Sequence, residues 1–76
     1  MSNELNVDDA IEQAQEICRL IDHDVPEWAW DKAAEFFEDV REKAADVGET
    51  MTETGRVTSN QKQALNNWED GVRMGS

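Results

Sequence analysis

The sequence predicts a small all-α protein, a three-helix bundle with a long central helix. Three observations carry that expectation: apolar residues recur at steps of three and four in three separate stretches, capping residues stand ahead of those stretches, and the first break between them is short. At 76 residues there is room for one domain, read as residues 1–76, of a size that buries only about 60% of its unfolded surface. The apolar fraction of 38%, with three Trp and two Phe, is enough for a packed core and more than a disordered acidic tail would carry.

The first helix is predicted at about 7–22. Val7, Ala10, Ala14, Ile17 and Ile21 form one stripe, flanked by Ile11 and Cys18. Asn6 is placed to cap the first N–H groups, and Asp8 and Asp9 stand at the positive end of the helix dipole. The break falls at His23-Asp24-Val25-Pro26, because proline cannot donate a hydrogen bond within a helix and restricts the residue before it. A turn this short makes the first two helices antiparallel neighbours.

The second helix is predicted at 25–50. Asp24 and Glu27 read as an acidic capping box, with Pro26 in the first turn. Trp30, Ala33, Phe37, Val40, Ala44, Val47 and Met51 hold one heptad-like phase. Gly48 reads as a natural stop, and Thr50, Thr52 and Thr54 are poor helix formers, so a frayed or bent end is expected between Gly48 and Gly55. A small hairpin at Thr54-Gly55 is the second possibility there. The third helix, about 59–72, opens with the capping box Thr58 to Gln61 and aligns Ala64, Leu65, Trp68 and Val72. Met74-Gly75-Ser76 is expected to fray.

Charge restricts function more than any motif does. Eighteen Asp and Glu against seven Lys and Arg give a formal charge of -11, which repels phosphate backbones and anionic membranes and favours basic partners. The expected partner is therefore a protein with a basic surface of the kind that binds nucleic acid, rather than nucleic acid or a membrane directly. A high-salt habitat is another reading of the same charge. The single Cys18 rules out an internal disulfide and a multi-Cys zinc site. No apolar run approaches the ~20 residues of a membrane span, and residues 1–6 lack a signal-peptide pattern, so the expected location is cytoplasmic.

The candidate partner-binding residues are Glu27, Asp31, Glu35, Glu38, Asp39, Glu42, Asp46 and Glu49, an acidic ridge on the face of the second helix opposite its apolar stripe. Steps of four residues advance about 6 Å, of the same order as phosphate spacing along a strand, so the ridge could enter a basic groove as a decoy. The plainer reading is a solvated helix face, with Lys32, Arg41 and Lys43 interrupting the field. Against that reading stands the like-charge crowding, which costs a few tenths of a kcal/mol per i,i+4 pair and brings the isolated fold nothing.

Trp28 and Phe36 lie outside the heptad stripe; burial under the third helix is the preferred expectation, and a homodimer contact or a partner's groove the other. His23 between Asp22 and Asp24 reads as a turn histidine rather than a metal ligand, and Cys18 as a core or boundary residue. The carboxylates lie on open helix faces, and the glycines are too scattered to cradle phosphate. The expectation is a non-enzyme with no catalytic, cofactor or metal site.

Gly55-Arg56-Val57-Thr58-Ser59-Asn60-Gln61-Lys62-Gln63-Ala64-Leu65, preceded by the amphipathic helix bearing Phe36-Phe37, resembles a helix, glycine turn and capped helix found in small phage and prophage accessory proteins. The resemblance covers roughly the second half of the chain. It implies the kind of compact acidic inhibitor that phages direct at host nucleic-acid enzymes, including restriction, CRISPR and repair systems, acting in the host cytoplasm. No residue is carried over from any one such inhibitor. The competing expectation is a structural or self-associating helical module, in which Trp28, Phe36 and Trp68 form the contact.

Overall fold

A computed structural model describes residues 6–75, and it is an all-α three-helix bundle. Helix α1 spans Val7–Arg19, a π-helical turn follows at Leu20–Asp24, α2 spans Glu27–Thr54 and α3 spans Ser59–Gly75. Ala14 packs against Gly48, and the Cys18 thiol faces the Arg41 carbonyl, so α1 and α2 run antiparallel. The Phe36 ring stands against Gly71, which brings α3 back antiparallel to α2.

Asn6 caps α1 as expected, its Oδ1 accepting from the N–H groups of Asp8 at 2.9 Å and Asp9 at 3.2 Å. The predicted extension of α1 to residue 22 is corrected: the α-helix ends at Arg19 and widens into the π turn, closed by Val25 N–H donating to Leu20 C=O at 3.1 Å. The wider turn keeps Leu20, Ile21 and Val25 all buried while the chain reverses.

The Asp24–Glu27 capping box does not form. Pro26 itself is the N-cap of α2, with no side-chain cap bond, and its carbonyl accepts from Ala29 and Trp30. Asp24 cannot reach the first turn because it is the last residue of the π turn and extended Val25 separates it from the helix. Gly48 does not stop α2, and no hairpin forms at Thr54-Gly55. The helix runs on to Thr54, with Thr52 and Thr54 donating to the carbonyls of Gly48 and Thr50 at 2.8 and 2.9 Å. Gly48 serves a different purpose: a Cβ there would lie 3.3 Å from the Ala14 Cβ, so it allows α1 to approach closely. The stop is Gly55, whose φ of 68° puts it in the left-handed region while its N–H donates to Met51 C=O at 2.8 Å.

Thr58 and Gln61 form the reciprocal capping box of α3, at 2.8 and 3.1 Å. The helix continues past the predicted residue 72 through Met74 to Gly75, so that part of the expected fraying does not occur; Ser76 lies outside the described residues.

The core contains Ala10, Ala14, Ile17 and Ile21 from the first segment, Phe37, Val40, Ala44 and Met51 from α2, and Leu65 and Val72 from α3. Leu20, Val25 and Ala29 join it without having been part of a predicted stripe. Of the predicted stripes, Val7, Trp30, Ala33, Val47 and Trp68 are partly buried against this core. No polar or charged residue is buried among the described residues. At the α1–α3 seam, Gln13 donates to Asn66 at 2.9 Å and Glu69 at 2.8 Å, and Lys62 donates to Gln13. Burial pushes the Glu69 carboxyl up, but hydrogen bonds from Gln13 and Arg73 and the charges of Arg73 and Lys62 outweigh it and hold the group below the usual glutamate range.

Candidate protein-binding face

All eight predicted ridge residues, Glu27, Asp31, Glu35, Glu38, Asp39, Glu42, Asp46 and Glu49, are exposed on α2. At about 100° per residue the six from Glu35 to Glu49 fall within an arc of about 100°, opposite the arc of Phe37, Val40, Ala44 and Met51. The eight do not form one unbroken line. Ala33, with φ −146° and ψ 39°, leaves the helical region and kinks α2, so Glu27 and Asp31 lie on a separate segment. No Pro or Gly accompanies the kink; beside it, Trp30 and Phe37 pack tilted with ring centroids 5.4 Å apart. Beyond the kink, Glu35 to Glu49 share one continuous helix.

That helix carries a further acid. Because α2 extends to Thr54, exposed Glu53 stands one turn beyond Glu49 and lengthens the ridge to about 27 Å from Glu35. The i,i+4 spacing signalled it, but the frayed or bent end expected between Gly48 and Gly55 hid it.

Two of the three cations expected to interrupt the field, Arg41 and Lys32, are drawn aside, and Lys43 stays on the ridge. Arg41 turns to the π turn and makes a two-pronged bond with Asp22, at 2.7 and 3.1 Å. That hydrogen bond holds the Asp22 carboxyl below its ordinary value. Lys32 sits 6.0 Å from the centroid of the Trp28 ring. Lys43 pairs with Asp39 at 3.1 Å. Among the described residues no cation stands within ion-pair distance of the other seven ridge carboxylates or of Glu53.

The preferred burial of Trp28 and Phe36 is corrected. Trp28 is 59% exposed, on the turn before the kink, where α3 does not cover it. Phe36 is 41% exposed although its ring edge meets Gly71, where a Cβ would come within 2.7 Å of Cζ. Trp68, by contrast, packs against the core.

His23 is exposed in the π turn, and among the described residues no three His, Cys, Asp or Glu side chains are grouped to hold a metal ion. Cys18 is half-buried between α1 and α2. Burial pushes its thiol up and outweighs the opposing charge of Arg41, with neighbouring Asp22 adding to the rise, so it stays protonated near neutral pH. No helix among the described residues is long and apolar enough to cross a membrane.

No protein-family model matches the chain, and comparison with curated proteins and with solved structures finds no match for it.

Proposed function

We propose that this protein is a non-catalytic regulator or inhibitor that binds the basic surface of a nucleic-acid-binding protein through the carboxylate face of α2, in place of the nucleic acid. The observation that supports this reading is the ridge from Glu35 to Glu53: exposed carboxylates on one continuous helix, with Arg41 tied to Asp22 and Lys32 placed at Trp28. Carboxylates one turn apart meet lysines and arginines spaced for phosphates, and the exchange releases the counterions of both surfaces. A phage-encoded inhibitor, active in the host cytoplasm, is the setting in which such a decoy fits.

The test is retention of lysate proteins on the immobilised chain at low salt. The wild type is expected to hold one or more nucleic-acid-binding proteins and to release them at high salt. Glu35→Lys, Glu38→Lys and Glu42→Lys combined should leave helicity intact and weaken retention by about threefold to a hundredfold, at roughly 0.2–1 kcal/mol per exposed pair. Retention unchanged by the triple reversal would remove the decoy mechanism.

The exposure of Trp28 and Phe36 favours a second reading, self-association through an apolar face. Light scattering that gives a monomer across the micromolar range would dispose of it.

A further inference from the structure

Between α1 and α2 runs a groove of about 610 Å³. Every residue that lines it belongs to α1, the π turn or α2, so it lies on a side of the helix pair that α3 leaves uncovered. The floor is apolar and, apart from Ile11, built from short side chains: Ala14, Cys18, Ala44, Ala45 and Gly48. Where Ala14 and Gly48 bring the helices together there is no large side chain to fill the valley above them.

A valley along two antiparallel helices has the shape that a further helix fills in a four-helix arrangement. The charges on its edges say what kind. On the α1 side Asp22 is held by Arg41, and Arg19 pairs with Glu16. On the α2 side Glu49 and Glu53 stand one turn apart, about 6 Å along the axis, with no cation in ion-pair range among the described residues. An occupant therefore finds apolar surface beneath it and two unpaired carboxylates along one edge. A second copy of this chain is a poor match, since it brings a further charge of -11.

We infer that this groove docks a basic amphipathic helix of the partner protein, with apolar side chains entering the floor and a lysine or arginine pair at i,i+4 facing Glu49 and Glu53. The inference rests on the proposed function, because Glu49 belongs to both the ridge and the groove edge: the partner would be gripped at once by charge along α2 and by apolar burial beside it.

The experiment is an NMR titration of the full chain, labelled with 15N, with a synthetic helical peptide that carries leucines on one face and lysines one turn apart along its border. Saturable shifts are expected to cluster at the amides of Cys18, Ala45, Gly48 and Glu49. Ala45→Phe, which fills the groove from an exposed helix position without changing any charge, should weaken binding by about tenfold. Glu49→Lys with Glu53→Lys, which leaves the floor intact, should do the same if the edge carboxylates pair with the peptide lysines. Peptides with leucine replaced by glutamine, or lysine by glutamine, should both bind more weakly. Shifts spread over the carboxylate face, wild-type affinity in Ala45→Phe, or equal binding of either control peptide would overturn the groove assignment. Groove shifts produced by raising the protein concentration alone would give the site to a second copy and overturn it equally. The ridge reading is judged separately, by retention of lysate proteins in the Glu35, Glu38 and Glu42 reversal, whose positions do not line the groove.

Discussion

Phe36 and Phe37 are neighbours with opposite roles. Phe37 is 1% exposed, tilted on Trp30 and edge-on to Phe36, whereas Phe36 keeps 41% of its surface in water. Phe37→Ala removes the largest fully buried side chain and is expected to cost about 3–5 kcal/mol. That is a large part of the total stability of a domain this small, at about 0.05–0.15 kcal/mol per residue. Urea unfolding followed by circular dichroism should find little folded protein in that variant. Trp28→Ala should shift the same curve by no more than about 0.5 kcal/mol, the usual reach of an exposed substitution. Gly55→Ala forces an L side chain into a left-handed conformation and should lose about 1–2 kcal/mol.

At the scale of the helices, the sequence is most readable where a local pattern and the tertiary need coincide. The α1 stripe and the Thr58–Gln61 capping box are such cases, and Thr58→Ala is expected to cost about 0.5–2 kcal/mol by the same urea measurement. The reading fails where a residue has two possible uses. Gly48 looks like a terminator to a local rule, but its missing side chain is needed for the approach of Ala14, a contact 34 positions away in the chain. Asp24 looks like a cap until the π turn absorbs it, and the kink at Ala33 has no proline or glycine to announce it. The acidic face was legible because i,i+4 spacing is local. The groove was not, because its floor joins residues from α1 and α2 that only packing brings together.

The α1–α3 seam adds a pH dependence. Glu69 has its pKa lowered in the fold, so its charged form contributes stability above the unfolded value of about 4.3, and that contribution is lost as pH falls through the folded value. Urea midpoints taken near neutral pH and again below about pH 4 should drop less for Glu69→Gln than for the wild type. Acid relieves the self-repulsion of both proteins alike, so the difference between them isolates Glu69.

The molecule as a whole is governed by unbalanced charge. With -11 spread over a body of 39 × 27 × 18 Å, self-repulsion works against the folded state, and added salt should raise the melting temperature as the Debye length shrinks to about 10 Å at 0.1 M. A chain that remains folded at low salt would argue against a halophile origin of that charge and leave the ridge needing a partner. The same screening that steadies the free protein should loosen its complex, and these opposite salt responses separate a charged interface from an apolar one.

If the α2 carboxylates take the place of a nucleic acid, the two ligands must exclude each other, and competition reads this without an intermediate step. A partner retained from lysate is purified, and its binding to a labelled DNA duplex is followed while this protein is added. Displacement of the duplex by the wild type, lost with Glu35→Lys, Glu38→Lys and Glu42→Lys, is the expected result. A partner that holds duplex and protein together, each without effect on the other, would contradict it.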